Sequence, residues 1–260
     1  MSPLFRRAVA EMIGTFFLCF AGIMAICMNK GVLADAARGT VGLASTETGS
    51  GPLGVALAHG LALAIAITAL GKVSGGHFNP AVSLSVLLSR QMGLVAAVVY
   101  ILSQLAGGVL AAFAVKVAVP ETTFGAAAGG LPTVAHGVTL WQAVLVEAIA
   151  TFFLVTAVFG TGVDPNGPKV GGFAIGLTVA FDILAIGPMT GGCMNPARAL
   201  GPAMASGDWG NHWVYWLGPV AGGAIAGWIY TLLFLKYPPA QPAGSDLGGA
   251  KRPEPVVEVV

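Results

Sequence analysis

Thr190 to Gly201 reads TGGCMNPARALG, and it sets Asn195, Pro196 and Arg198 inside a strongly apolar run. A helix crossing a bilayer carries such residues only for a structural or functional reason. A near copy, SGGHFNPAVSLS, occupies Ser74 to Ser85. Each copy opens on paired glycines, passes to Asn-Pro-Ala and continues as an apolar run too short to cross. Asn is a good N-cap, and Pro is favoured at the first helical position because its missing N–H would have had no intrahelical partner. Residues 79–89 and 195–205 are therefore predicted as half-helices that begin within the membrane layer.

The surrounding chain has the composition of a membrane protein. It is 56% hydrophobic and 9% charged, with a mean hydropathy of +0.83, outside the ordinary soluble range. A net charge of +1 provides no basic field for nucleic acid. Three widely spaced cysteines, Cys19, Cys27 and Cys193, suggest neither a disulfide framework nor a zinc site, and no cofactor or metal is implied. Runs of about 20 apolar residues, enough to span, fall at 8–28, 54–72, 93–119, 140–160, 170–187 and 212–235. The first follows Arg6 and Arg7 as a signal peptide would, but it is long enough to span and recurs later in the chain. The connections 29–53 and 120–139, rich in Gly, Thr and Pro, are predicted as loops, and 236–260 as a disordered tail.

The two halves repeat. EMIGTFFL from Glu11 matches EAIATFFL from Glu147, and ALAHGLALAIAITALG from Ala56 matches GFAIGLTVAFDILAIG from Gly172. YILSQLAGG from Tyr100 likewise matches YWLGPVAGG from Tyr215. Three spans per copy is an odd number, so the copies are inverted, and the two Asn-Pro-Ala segments enter from opposite faces. The repeats cover about 8–119 and 140–235, preceded by a short N-terminal segment, 1–7. Arg6, Arg7, Lys72, Arg90, Lys169, Lys236, Lys251 and Arg252 fall on one side of the membrane, against Lys30, Arg38 and Lys116 on the other. The positive-inside bias puts both termini in the cytoplasm.

Half-helices entering from opposite faces bring two N-termini, with their positive dipole ends, together near the midplane. If each Asn carbonyl caps its own helix, the amide NH₂ is left to face a cavity. Paired donors and converging dipoles would orient a small polar molecule, oppose cations and interrupt a proton-conducting chain. The doubled Asn79-Pro80-Ala81 and Asn195-Pro196-Ala197, the two Glu-x-x-x-Thr-Phe-Phe segments and the six-span inverted repeat resemble the aquaporin (major intrinsic protein) family over roughly 8–235. The resemblance implies an all-α right-handed bundle of six spans and two re-entrant half-helices. It also implies a homotetramer in the lipid bilayer, with one pore per protomer.

The resemblance further implies a narrower constriction formed by His59, Ile183, Gly192 and Arg198. That set is similar to the tonoplast intrinsic proteins associated with ammonia as well as water, and departs from strict water channels at His59 and Ile183. Glycerol facilitators are expected to carry Asp after the Arg, where this chain has Ala199, and an aromatic at position 59. His77 and His136 are candidates for a gate or an extended constriction, with a fixed structural role the plainer alternative for His77. Glu11 and Glu147 are symmetry mates, read as acceptors for re-entrant-loop N–H groups rather than proton-coupling carboxylates. Asp182, beside Ile183, is read either as a support of the constriction or as part of a protomer contact, and the sequence leaves both open.

The expected function is a passive channel for water, with ammonia or other small neutral solutes, excluding protons and ions. A glycerol or small-polyol facilitator is the alternative within the class, and a secondary transporter is the alternative outside it. A closed, adhesive tetramer is a further possibility. No nucleophile–base pair or metal-ligand spacing points to an enzyme. The plasma membrane is the favoured location and the vacuolar membrane the alternative.

Overall fold

A computed structural model of the chain describes residues 2–37 and 50–235. It is all-α, with no strand among the described residues. Among the described residues six helices are long and apolar enough to span: α1 (Pro3–Ala37), α2 (Gly51–Ser74), α4 (Leu94–Ala118), α6 (Leu140–Val158), α7 (Phe173–Thr190) and α9 (Val214–Leu233). The half-helices are α3 (Pro80–Leu88) and α8 (Pro196–Ser206). A short α5 (Glu121–Ala126) follows α4, and α6 runs on into a π-turn at Phe159–Val163.

Two predicted connections differ. α1 does not stop at 28 but continues through Ala37, because Leu33, Ala34, Ala36 and Ala37 are good helix formers past the apolar band. The segment 120–139, expected as loop, holds α5 and a 3₁₀ turn at Ala128–Gly130. Residues 38–49 of the first connection and the predicted tail, 236–260, lie outside the described residues.

Packing interlocks the repeats. Within each half the first span lies against the next two, α1 on α2 and α4, α6 on α7 and α9. Each half-helix, however, packs chiefly on the last span of the opposite half: α3 on α9 and α8 on α4. Small residues permit this. A Cβ at Gly201 of α8 would overlap the Gly108 carbonyl of α4, and one at Gly223 of α9 would sit 2.6 Å from Ser85 Oγ of α3. The halves also cross at α2 and α7, where Gly60 and Ala64 face Gly176 and Ala180 closely enough to exclude any side chain at either glycine. Such small-residue contacts let backbones approach where lipid supplies no hydrophobic drive.

Candidate functional site

Both half-helices start in one way. Asn79 Oδ1 accepts the Ala81 N–H at 2.8 Å, and Asn195 Oδ1 accepts those of Ala197 and Arg198 at 3.0 and 3.3 Å. Pro80 and Pro196 follow at the first helical position. The residue before each Asn is left-handed although it is not glycine: Phe78 at φ 47° and Met194 at φ 52°. That turn aims its carbonyl at the opposite loop. Asn79 Nδ2 donates to Met194 O at 2.8 Å, and Asn195 Nδ2 donates to Phe78 O at 2.9 Å. One amide proton of each Asn thus ties the loops together, leaving the other for the cavity that both residues line.

Two buried carboxylates hold the loops from behind. Glu11 accepts from Ser74 Oγ (2.6 Å), from the backbone N–H groups of His77 (3.1 Å) and Phe78 (2.7 Å), and from Gln104 Nε2 (2.7 Å). Glu147 accepts from Thr190 Oγ1 (2.6 Å) and from the N–H groups of Cys193 (2.9 Å) and Met194 (2.7 Å). Donors converging on one carboxylate supply locally the solvation that lipid cannot. Tyr100 and Tyr215 complete the frame, donating to the carbonyls of Ser74 and Thr190. They are a repeat pair in the sequence, a signal that could have found them.

The cavity between the loops is lined by His59, Ile183, Gly192 and Arg198 together with Asn79 and Asn195. Leu18, Leu63, Val82 and Val179 are among the aliphatic side chains that share the lining. Arg198 is 2% exposed; its Nη1 donates to Gly130 O at 2.9 Å, while Nε has no partner among the described residues. Gly130, at φ 75° in the turn after α5, had no sequence signal beyond a Gly-Gly pair. His59 Nδ1 bonds the Val55 carbonyl at 2.8 Å, so Nδ1 carries the proton and the unpartnered Nε2 is an acceptor. Its ring occupies the space a side chain at Gly22 of α1 would take, a dependence invisible in the sequence.

The remaining candidates differ in their placement. His77 is buried, shares a hydrogen bond of 3.0 Å with Ser83 Oγ, meets the Tyr100 ring edge-on, and lines both the central cavity and the vestibule that Arg7 and Lys72 border. His136 is exposed and does not line the central cavity. Asp182 is buried with Oδ2 unpartnered among the described residues, and it too is absent from the lining. Among the described residues no cluster of His, Cys, Asp or Glu could hold a metal.

Six spans, two half-helices meeting end to end and a cavity threading between them define a membrane channel of inverted-repeat architecture. Residues 1–230 match the model of the family described as major intrinsic protein. The chain is 40% identical over 237 residues to "Aquaporin TIP2-1" of Arabidopsis thaliana, with 88% of each chain covered. It is 42% identical over 234 residues to "Probable aquaporin TIP1-2" of Oryza sativa subsp. japonica, covering 88% of this chain and 87% of that one. Among solved structures, the aquaglyceroporin from Plasmodium falciparum superposes with a TM-score of 0.72 at 25% identity, over 88% of this chain and 96% of that one. The chain belongs to the major intrinsic protein family; it is a multi-pass membrane channel and not an enzyme.

Proposed function

We propose that the chain is a passive water channel whose constriction, His59, Ile183, Gly192 and Arg198, also admits ammonia and other small neutral solutes. The observation that carries this is that all four residues line one cavity with Asn79 and Asn195. A molecule in that cavity meets donors at Arg198 and the two free amide protons, and the aliphatic side chains of the lining offer no hydrogen bonds, so a solute must pass by exchanging its hydrogen bonds among the few polar groups there. Water at the paired Asn residues accepts from both amides through its lone pairs. That orientation stops it relaying a proton, and the guanidinium and two helix N-termini repel cations. Ile183 puts an apolar wall opposite His59, which lowers the advantage of water over ammonia.

The names of the similar plant proteins, TIP-type aquaporins, support water as substrate. The aquaglyceroporin likeness favours a wider substrate range, but Ala199 follows Arg198 where glycerol facilitators are expected to place Asp. Coupled transport would call for ionisable groups at the midplane, where this chain has two neutral amides. We place the protein as a homotetramer in the plasma membrane with both termini cytoplasmic; the vacuolar membrane is the alternative that the TIP resemblance favours. In this reading the channel domain covers 8–235, and Glu11 and Glu147 are structural. The test is stopped-flow shrinkage of proteoliposomes alongside internal alkalinisation in an ammonium gradient, for the native chain and for His59→Phe combined with Ile183→His. Fast shrinkage with alkalinisation that the double change abolishes is the expected result. Shrinkage alone discards the ammonia assignment, and saturable, ion-dependent flux replaces the channel with a carrier.

A further inference from the structure

The pore leaves one polar cleft unexplained. It opens where α3 ends beside the last turns of α9 and is lined by Leu88, Ser89, Arg90, Trp228, Thr231 and Leu232. Ser89 is 8% exposed, yet its Oγ has no partner among the described residues, and neither does Thr231 Oγ1. Thr15, Thr68, Thr151, Thr156, Thr161 and Thr178 each donate to the carbonyl four residues back, and Thr190 donates to Glu147, whereas Thr231 has no acceptor among the described residues. A buried hydroxyl left unmatched is costly, so two that line one cleft point to a ligand that satisfies both.

The local chain explains why a cation stands there. The Ser89 N–H closes α3 onto Ser85 O, and Arg90 turns left-handed at φ 60°, bonding its N–H to Leu87 O at 2.9 Å while the Gln91 N–H takes Val86 O. The last α3 carbonyls are thereby occupied by main chain, and the Arg90 side chain is exposed at the cleft. Around it the rim is apolar and outward-facing: Leu88 is 62% exposed and Trp228 65%. This is the end of the bundle at which α9 stops.

We propose that the cleft binds the phosphate of an anionic phospholipid headgroup. Arg90 supplies the charge, the Ser89 and Thr231 hydroxyls donate to phosphate oxygens, and Trp228, Leu88 and Leu232 lie against the glycerol and upper acyl chains. A basic pocket between spans suits a charged headgroup, and tryptophan is favoured at the level where headgroups sit. A soluble phosphate would satisfy the hydroxyls but leave the apolar rim without a partner. The site is independent of what the pore conducts.

Native mass spectrometry of the full-length protein in detergent, titrated with phosphatidylglycerol or with phosphatidylcholine of the same acyl chains, tests the assignment. One phosphatidylglycerol retained per protomer is expected, with Arg90→Gln weakening retention about tenfold, Arg90→Lys much less, and Ser89→Ala or Thr231→Val by severalfold. Equal retention of phosphatidylcholine, or retention unchanged in both Arg90→Gln and Thr231→Val, overturns it. So does displacement of phosphatidylglycerol by millimolar inorganic phosphate, which would make the ligand a soluble anion. The osmotic flux of each variant reports that it has folded.

Discussion

The Cys193 thiol donates to Asn195 O at 3.1 Å, is 4% exposed and lines the central cavity, so a reagent reaches it only through the pore. Cys19 and Cys27 are fully buried in the apolar cluster where α1 meets α4 and α5, away from the cavity. A mercurial is therefore expected to slow osmotic shrinkage of proteoliposomes, and Cys193→Ser to remove that sensitivity where Cys19→Ser does not. Sensitivity that survives Cys193→Ser would mean that the thiol does not face the conducting path. Gly22 offers a second residue-scale test. An added methyl there would overlap the imidazole of His59, a residue that lines the cavity and is tethered by Nδ1 to Val55 O, so the ring must shift. Gly22→Ala should cut ammonia entry several-fold more than water flow; an equal loss of both would mean that the ring position does not set selectivity. The family resemblance pointed to His59, but its contact with α1 depends on how two helices sit, which no spacing within one segment encodes.

At the scale of elements, the re-entrant loops depend on a carboxylate borrowed from another helix. Three donors, Thr190 Oγ1 and the N–H groups of Cys193 and Met194, are satisfied by Glu147 of α6. Removing a buried acceptor leaves all of them unmatched, at about 3–5 kcal/mol. Glu147→Ala should lower the thermal midpoint in detergent, followed by tryptophan emission, well below that of Glu147→Gln, which keeps one acceptor oxygen. Indistinguishable midpoints would show that the loop is held by other means. The half-helix starts were legible because Asn-Pro is a capping signal in itself. The ends of α1 and the presence of α5 were not, since propensity past the apolar band competes with a composition that also reads as loop.

Taken as a whole, the molecule presents broad apolar sides. Phe153 of α6 lies against Phe181 of α7 at 6.0 Å between ring centroids, and Phe173, Leu177 and Leu184 extend that surface along α7. Lipid or a second protomer satisfies it equally, whereas the pore lies wholly within one chain. Native mass spectrometry is expected to give a four-chain assembly; a monomer that still conducts would withdraw the tetramer and leave the pore intact.

By itself the sequence determined the spans, the inverted duplication and the two capped half-helices, because hydropathy, repetition and Asn-Pro capping are local or periodic properties of the chain. Inversion followed from counting three spans per copy. Only the tertiary structure decided that each half-helix docks on the opposite repeat, that each Asn also bonds the other loop, and that Gly130 and Gly22 position Arg198 and His59. Those contacts join residues far apart in sequence, and their partners are backbone carbonyls or empty space beside glycine. Neither leaves a residue type to read.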